Sequence, residues 1–517
     1  MFCWSWNLIM TTKEIRRRTR RTATAQPVPS TSEGRRTNQL IDELQLAISY
    51  VDPTTLKPPR RELRKNSSRQ ADAIAASIRN FGFLSPILVD GEDRIICGHA
   101  RWQAAKELGL NEVPVISATH LSDVQIRLVA LADNKCSSLG EWDEVELGLE
   151  FAELGELVMN TETSLELSAF SSCEIDQFPR TSNDPTGERN DDTTPAPAVR
   201  VTQSGDLWQL GHHRLLCGDA LAEQSYQTLM GSEPAQMVFV DPPYNLSART
   251  ISGLGKVKHG NFRMGSGELS SAQFTEFLTT AFGHMARYSI DGAMQFACMD
   301  WRHTREMQDA GEAVYSELKN IVVWDKQKGG MGACYRSQHE FIWVWKNGTS
   351  KHINNFGLGE GGRYRTNVWS YKGNNSFHRN RAKELATHAT VKPLALVADA
   401  IRDCSHHGGI ILDAFGGSGT TLLAADHTGR QARLIELEPR FCDATILAWQ
   451  QRTGGKATLA ATGQTWAEVA QERGIDVTVT GRDNDDDECE WEDAAALEAD
   501  ETGEAGNWGD DDDGNDA

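Results

Sequence analysis

Four consecutive residues, Asp241-Pro242-Pro243-Tyr244, place a carboxylate, two rigid residues and an aromatic ring directly after an apolar strand, Met237 to Val240. Ligands of open α/β sheets bind beyond the carboxyl ends of strands, where this tetrapeptide is expected to lie. Hydrogen bonds to Asp241 and to the Pro242 carbonyl would localise the lone pair of an amine on a flat ring, which is otherwise a poor nucleophile. Taken alone, the tetrapeptide is equally consistent with a strand-ending turn.

A second pattern, strand then glycine turn then helix, follows far downstream at residues 410 to 422. Glycines let the backbone approach a ligand closely, and the following helix offers free N–H groups to an anion. A further short strand then ends in Glu436, roughly twenty residues past the glycines, where nucleoside-binding units keep a ribose-binding acid. Combined with the tetrapeptide, this pattern is strong evidence for a nucleoside cofactor beside an amine-bearing ring.

From about Gly205 to about Gly455 the sequence resembles the amino DNA methyltransferases that use S-adenosylmethionine, in the permuted group whose catalytic tetrapeptide precedes the cofactor loop. Residues 388 to 393 are close to the family's His-Pro-Thr-x-Lys-Pro, with Ala389 replacing a proline, and Ala414 replaces another. Neither change removes a chemical group that the reaction uses. Further matching segments are Gly205-Asp206-Leu207-Trp208, Cys217-Gly218-Asp219-Ala220, Trp324-Asp325-Lys326, Gly330-Met331-Gly332, Tyr335-Arg336-Ser337-Gln338-His339-Glu340 and Arg365-Thr366-Asn367-Val368-Trp369.

For the tetrapeptide the resemblance implies that Asp241, Pro242, Pro243 and Tyr244 form the catalytic site and hold a base rotated out of duplex DNA. Rotating the base out of the stack costs roughly a few kcal/mol. The implied reaction is in-line transfer of a methyl group to nitrogen, without a metal or a covalent enzyme intermediate, and positioning does most of the work. The Asp-Pro-Pro-Tyr form favours adenine N6; cytosine N4, RNA and a protein amide are the alternative acceptors.

For the cofactor, S-adenosylmethionine, the resemblance implies that Glu436 holds the ribose hydroxyls and Lys392 the carboxylate. Asp219 would lie near the adenine, but an aspartate just before a helix is equally consistent with a helix cap. The residues expected to bound the rest of the cofactor are Asp413, Phe415, Gly417, Ser418, Gly419 and Thr420.

An upstream module, roughly Ile41 to Leu154, carries Gly98-His99-Ala100-Arg101 between a hairpin and a helix. This order combines backbone donors, a helix dipole and a guanidinium, which together make a phosphate site. The module resembles the ParB-like nuclease-fold domain, whose Gly-Glu-Arg-Arg binds a nucleoside triphosphate. Only the glycine and the last arginine are kept, so nucleotide or DNA-phosphate binding and a structural role for Arg101 stay equally open. The predicted elements are helices Ala71 to Phe83 and Trp102 to Leu108 and strands Pro86 to Val89, Arg94 to Cys97 and Val113 to Ile116.

The sequence thus predicts an α/β protein, with a Rossmann-like methyltransferase sheet that has helices on both faces and a smaller α+β ParB-like N-terminal domain. Two domains agree with the length of the chain. The predicted limits are 1–37 for a disordered basic arm, 38–155 for the ParB-like domain, 156–204 for a helical extension and linker, 205–460 for the methyltransferase domain, and 461–517 for a C-terminal extension with a disordered acidic tail.

The net charge of −21 is unexpected for a DNA enzyme, but it is concentrated in the acidic tail. Residues 482–517 carry seventeen acids and one base, with too few aliphatic side chains to form a core. Residues 38–481 still carry −11, so any DNA-binding surface must be local. Basic loop residues are usually only solvated; the candidates for DNA contact are Lys256, Lys258, His259, Arg263, Arg363, Arg365, Lys372, Arg379, Arg381 and Lys383.

The ten cysteines include no Cys-x-x-Cys pair and no cluster with histidine at zinc spacing. This argues against a structural metal and favours reduced thiols in the cytoplasm. No apolar run approaches the roughly twenty residues of a membrane span. The expected partners are double-stranded DNA, a nucleotide at the ParB-like domain and a second copy of the chain. A DNA- or nucleotide-binding module with an inactive methyltransferase half is a further alternative, against which the intact Asp241, Tyr244, Asp413 and Glu436 weigh.

Overall fold

The computed structural model describes residues 46–159, 161, 163–178, 200–246, 267–329, 335–356, 364–373 and 392–477. The chain divides into two compact units between Glu141 and Trp142. The helix that follows packs within the second unit. The predicted domain limits, including the one at residue 155, stay predictions. Among the helices in the described ranges, none has both the length and the apolar composition needed to cross a bilayer.

The first unit is a small mixed sheet packed against helices. Its core contains Ile87, Trp102 and Val115, and the Trp102 Nε1–H donates to the Pro53 carbonyl at 2.7 Å. The unit confirms the predicted smaller α+β domain. Its elements are β1 (Ile48–Val51), α1 (Ser68–Phe81), β2 (Ile87–Val89), β3 (Ile95–Cys97), α2 (His99–Glu107), β4 (Val113–Ser117) and α3 (Asp123–Cys136), and the strand order is β1-β4-β2-β3.

The predicted elements of the first unit are present with small shifts at their ends. The first helix begins at Ser68 rather than Ala71 because the Ser67 hydroxyl accepts the Gln70 N–H at 3.1 Å and caps it. The hairpin is confirmed, since β2 and β3 pair antiparallel with Leu88 opposite Cys97. The strand pattern of alternating or continuous apolar residues therefore located this sheet correctly.

The second unit begins with three helices and continues into a large sheet with helices between its strands. Its elements are α4 (Glu144–Val158), a 3₁₀ helix (Leu165–Ser168), α5 (Ser172–Ile175), β5 (Leu207–Leu210), β6 (His213–Cys217), α6 (Glu223–Met230), β7 (Ala235–Val240), α7 (Ser271–Arg287), β8 (Ser289–Met299), a 3₁₀ helix (Trp301–His303), α8 (Thr304–Val314), β9 (Glu317–Asp325), β10 (His339–Lys346), β11 (Val368–Ser370), α9 (Leu394–Cys404), β12 (Ile410–Asp413), α10 (Thr420–Thr428), β13 (Gln431–Glu436), α11 (Pro439–Thr453), β14 (Thr458–Leu459) and α12 (Trp466–Glu472).

The ten strands of the second unit follow the order β11-β9-β10-β8-β7-β12-β13-β6-β5-β14. Neighbouring strands from β8 to β6 pair in parallel, with Ile411 of β12 opposite Met237 of β7. Helices α9 to α12 pack on one face of the sheet and α6 to α8 on the other. The predicted Rossmann-like sheet with helices on both faces is therefore confirmed, and the carboxyl ends of its central strands meet at one edge.

The helices that open the second unit form an extension, residues 142–178, with its own small core around Phe151, Leu165 and Ile175. The extension is joined to the sheet by a buried ion pair, in which the guanidinium of Arg430 donates to Asp176 at 2.8 Å and 3.1 Å. Burial alone would raise the pKa of Asp176, but Arg430 and His407 hold it well below its ordinary value. The extension is therefore part of the second unit.

We expect Asp176→Asn to destabilise the second unit by about 3–5 kcal/mol, because removing one partner of a buried ion pair leaves the other charge without compensation. Urea unfolding followed by tryptophan fluorescence measures this change. Asp309→Asn is the matched control, since its pair with Arg305 is exposed and should contribute at most about 1 kcal/mol. Equal effects of the two substitutions would contradict the expectation.

Candidate active site

Four adjacent parallel strands carry the predicted acidic residues to one edge of the sheet. Asp241 follows β7, Asp413 ends β12, Glu436 ends β13, and Asp219 lies two residues beyond β6. All four line one cleft, which has a volume of about 1400 Å³ including its open mouth. The other predicted residues that line the cleft are Pro242, Pro243, Tyr244, Lys392, Phe415, Gly417, Ser418 and Thr420.

Asp413 organises the glycine turn. One of its oxygens accepts the Phe415 N–H at 2.9 Å, and the other accepts the Thr421 hydroxyl at 2.6 Å. Gly419 lies behind the cleft wall, as the N-terminal cap of α10, with φ of 79°. A Cβ at this position would meet Thr445 at 2.6 Å, so only glycine allows the turn and the helix to approach so closely. Asp413 therefore shapes the loop that bounds the cleft.

Glu436 joins the glycine turn to the next loop. Its two carboxylate oxygens accept the Gly417 N–H and the Glu438 N–H, each at 2.7 Å. Each oxygen keeps a second lone pair, so the carboxylate can also accept two vicinal hydroxyls from the cleft. Leu437 and Phe441 line the cleft beside it and offer an apolar surface. This part of the cleft has the donor and acceptor set that a nucleoside requires.

The sequence leaves two roles open for Asp219, a contact with the cofactor and a helix cap, and the structure bears on the second. Asp219 accepts the Leu221 N–H at 2.9 Å and thereby holds the turn before α6. The N-terminal cap of α6 is Ala222, which has no side-chain cap, so Asp219 is not the helix cap. Because Asp219 also lines the cleft, its cofactor role stays a prediction.

Lys392 lines the cleft beside Asp241 and is the centre of a buried network. Its ammonium lies 2.6 Å from Asp241 Oδ2, 2.9 Å from Glu340 Oε1 and 3.0 Å from the Tyr244 hydroxyl. These three partners use its three hydrogens. The sequence predicts that Lys392 holds the cofactor carboxylate, but in the structure its ammonium contacts Asp241, Tyr244 and Glu340, because these groups converge where β7 ends and β10 begins.

Three further side chains at this corner are absent from the predicted site. Glu340 accepts from Lys392 and, at 2.8 Å, from the ammonium of Lys326. Cys298 has its Sγ within 4.8 Å of carboxylate oxygens of Asp241 and Glu340, and burial raises the pKa of its thiol. The signal for Glu340 and Lys326 was available, since both lie in segments that carry the family resemblance.

The two carboxylates of the network differ in their electrostatics. Burial raises the pKa of Asp241, Lys392 opposes this shift, and the charge of Glu340 adds to it. Burial also tends to raise the pKa of Glu340, but Lys392 and Lys326 outweigh it and lower this pKa to about 2. Glu340 is therefore the permanent anion of the network, and Asp241 is the group closer to accepting a proton.

Most of the predicted DNA-contacting cations lie outside the described residues, as does the whole segment from His388 to Val391. Arg365 is an exception, and it is a poor candidate. Its side chain is 17% exposed, and its guanidinium donates to Asp403 at 2.9 Å and to Asp399 at 3.4 Å. The cations outside the described ranges are Lys256, Lys258, His259, Arg263, Arg363, Arg379, Arg381 and Lys383.

The predicted phosphate-binding residues of the first unit line one pocket. Gly98 caps the N-terminus of α2 with φ of 95°, a conformation that favours glycine. Arg101 folds back towards Gly98 and donates to the Pro86 carbonyl at 3.4 Å, and His99 lies 3.9 Å from Glu62. The geometry brings Gly98, His99 and Arg101 together, and their role stays a prediction.

Two family models match the chain, one in each unit. The model described as the ParB N-terminal domain matches residues 36–135, and the model described as DNA methylase matches residues 235–447. The second match spans β7, the glycine turn and Glu436. The two matches confirm the predicted combination of a ParB-like domain with a methylase domain.

Curated relatives match the two parts separately. The ParB-like nuclease domain-containing protein YnaK of Escherichia coli is 37% identical over 81 residues, 16% of this chain and 93% of that protein. The type II methyltransferase M2.MboI of Moraxella bovis is 26% identical over 232 residues, 42% of this chain and 81% of that protein. In six other curated relatives, including partitioning and nucleoid occlusion proteins, the match spans only 28% to 43% of the relative's length.

Solved structures match the second unit with low sequence identity. A putative DNA modification methylase of Thermus thermophilus, complexed with S-adenosyl-L-methionine, is 19% identical and has a TM-score of 0.32. The match covers 49% of this chain and 96% of that one.

We expect the free energy of unfolding of the second unit to fall as the pH rises through about 7. Burial raises the pKa of both Asp413 and Glu436 to about 7, above the ordinary values of 3.8 and 4.5. A carboxyl with a raised native pKa stabilises the fold below its unfolded pKa and loses that contribution as the pH rises through the native value.

Urea unfolding at roughly pH 5 and roughly pH 8 tests this expectation. Glu436→Gln should make the difference between the two values smaller, whatever its effect on absolute stability. Glu468→Gln is the control, because the pKa of Glu468 lies below its ordinary value. This carboxyl therefore stays ionised across the tested pH range. A Glu436→Gln protein with the pH dependence of the unchanged chain would contradict the assignment.

Proposed function

Because this chain belongs to the ParB-like domain family through its first unit and carries a DNA methylase domain in its second, we propose that it transfers a methyl group from S-adenosylmethionine to adenine N6 in duplex DNA. One observation carries the proposal. Asp241, with its Tyr244 partner, and Glu436, with the glycine turn, line the same cleft. An amine-binding carboxylate and a ribose-binding carboxylate thus share one cavity, as transfer from a nucleoside cofactor to an amine requires.

The cleft residues fit S-adenosylmethionine, which supplies an activated methyl group when bound. Glu436 would accept the ribose hydroxyls, and Leu437 and Phe441 would offer an apolar surface to the adenine. The first N–H groups of α10 have no intrahelical acceptors and favour an anion, so they would hold the cofactor carboxylate. Lys392 contributes charge nearby, but its hydrogens are already bonded to Asp241, Glu340 and Tyr244.

Asp241 positions the amine that receives the methyl group. Tyr244 and Lys392 each occupy one of its oxygens, and each oxygen keeps a lone pair for an amine N–H. The side chain is 21% exposed, so the amine reaches it from the cleft. With a second hydrogen bond to the Pro242 carbonyl, the nitrogen lone pair is withdrawn from the ring and directed at the methyl carbon.

The acceptor base must leave the duplex, since the cleft holds Asp241 at the sheet edge and an amine inside a base pair is out of reach. Flipping costs roughly a few kcal/mol, which stacking and hydrogen bonds in the site offset. Asp-Pro-Pro-Tyr supports adenine N6 over cytosine N4, because the Ser-Pro-Pro forms that usually accompany N4 replace the carboxylate with a hydroxyl.

The proposed partners follow from both units. Duplex DNA is the proposed substrate of the second unit, and a cytoplasmic location is proposed from the cysteine pattern, which favours reduced thiols. In the first unit, the pocket around Gly98, His99 and Arg101 supports a phosphate-bearing ligand, a nucleotide, by its backbone donors and guanidinium. A homodimer is proposed from the family resemblance alone.

Asp241→Ala should abolish methylation and leave cofactor binding intact. Removing a group that positions the reacting amine is expected to cost at least about 10²-fold in rate. The protein and its variant are expressed in a bacterial host without methylation, and the genomic DNA is sequenced by single-molecule kinetics. N6-methyladenine in a defined motif, present with the unchanged chain and absent with the variant, supports the proposal; N4-methylcytosine would redirect it to the other base.

Glu436→Ala should weaken binding of S-adenosylhomocysteine by about 10- to 100-fold, because a charged hydrogen-bond acceptor contributes about 1.5–3 kcal/mol. Isothermal calorimetry gives the affinity directly. Glu472→Ala serves as control, since Glu472 lies on the exposed end of α12, away from the cleft. An unaltered affinity would remove the ribose assignment.

A further inference from the structure

Glu340 lies behind Lys392 and Tyr244, on the side away from the cleft. It is 8% exposed, and among the described residues it lies outside the set that lines the cleft. It comes from β10, which runs antiparallel to β8 and therefore brings its first residues to the edge where β7 ends. Its carboxylate contacts Lys392, Lys326 and the Tyr244 hydroxyl. Among the described residues, Glu340 thus meets the catalytic tetrapeptide through hydrogen bonds to Lys392 and Tyr244, and its charge acts on Asp241 across less than 4.8 Å.

The Tyr244 hydroxyl has one hydrogen and two carboxylate neighbours. It lies 2.7 Å from Asp241 Oδ1 and 2.5 Å from Glu340 Oε1. When Asp241 is ionised, the hydroxyl can donate to Asp241. When Asp241 carries a proton, Asp241 can donate to the tyrosine oxygen while the tyrosine donates to Glu340. Asp241, Tyr244 and Glu340 can therefore satisfy their shared hydrogen bonds in both protonation states of Asp241.

We propose that Glu340 is a positioning residue that allows Asp241 to take up and hold the proton released by the methylated amine. This inference rests on the proposed function. As the carbon–nitrogen bond forms and the carbon–sulfur bond breaks, the sulfur keeps the bonding electron pair and the nitrogen becomes cationic. One N–H proton passes to Asp241, and the Tyr244 hydroxyl turns from Asp241 to Glu340. Asp241 returns this proton to solvent after the product leaves.

The charges of the network support this role. Lys392 alone would hold Asp241 strongly ionised and make it a weak base, but Glu340 shares the same ammonium. The negative charge of Glu340 raises the pKa of Asp241, whereas Lys392 and Lys326 keep Glu340 ionised. The ionisable groups that face Asp241 are Lys392, Tyr244, Glu340, Cys298 and Asp413.

Glu340→Gln provides the test. We expect the single-turnover rate of methylation at its pH plateau to fall about 10²-fold, the lower end of the range for a lost acid–base contribution. The acidic limb of the pH–rate profile should move to lower pH, because Asp241 loses the charge that raises its pKa. Affinity for S-adenosylhomocysteine, measured by calorimetry, should stay unchanged, since Glu340 does not line the cleft.

Glu306→Gln is the matched control. Glu306 is equally buried and bonds Ser271 at 2.8 Å, away from the cleft, so its loss should leave both the plateau and the acidic limb in place. Tyr244→Phe removes only the bridging hydroxyl and should lower the plateau in the same way. A lower plateau with an unmoved acidic limb in Glu340→Gln, or an unaltered profile in Tyr244→Phe, would overturn the inference.

A measurement without turnover separates this inference from the proposed function. The free energy of unfolding is measured over a range of pH for the protein with Asp241 and for its Asp241→Asn variant. The pH dependence of the difference gives the midpoint at which Asp241 ionises. This midpoint should be lower in the Glu340→Gln background. A lowered midpoint in a chain that methylates no DNA would reject the function but support the coupling, and an unmoved midpoint would reject the coupling itself.

Discussion

Parallel pairing of β6, β13, β12 and β7 is the constraint on which the rest of the second unit depends. Each of these strands ends at the same edge, so residues far apart in the chain, such as Asp219 and Glu436, meet around one cleft. Parallel strands need long crossovers, and the helices of those crossovers cover both faces of the sheet. The same pairing therefore supplies both the apolar core and the line of acidic side chains.

The acidic edge is stable only because each carboxylate has partners. Asp413 and Glu436 accept backbone or hydroxyl hydrogens from the glycine turn, so their burial also fixes the loop conformation. Asp241 and Glu340 instead share an ammonium. On one side of the cleft, burial raises the pKa of Asp413 and Glu436, and hydrogen bonds from neutral donors oppose it. On the other side, the cations Lys392 and Lys326 keep the Glu340 carboxyl ionised.

The sequence located what depends on local pattern. The apolar run before Asp241 and the glycines before α10 predicted β7, β12 and the glycine turn, because strand and turn propensities act over a few residues. The local pattern did not place Glu340 beside Lys392, because Glu340 lies on β10, whose antiparallel direction brings it to the edge where β7 ends. Burial of Arg365 against Asp403 was likewise invisible, since a basic residue in an unpaired loop and one in a buried pair look alike in one sequence.

The extension that precedes the sheet bears on how the second unit can be divided. Asp176 meets Arg430 and His407 near the amino-terminal end of β12, opposite the cleft. A truncation placed at Gly205, where the resemblance begins, would leave the Arg430 guanidinium buried without its counter-charge. A fragment that keeps this ion pair must therefore begin before Asp176, and the compact unit that contains the pair begins at Trp142. The need to neutralise the buried Arg430 guanidinium sets this limit at Asp176, which lies well before Gly218, the first described residue that lines the cleft.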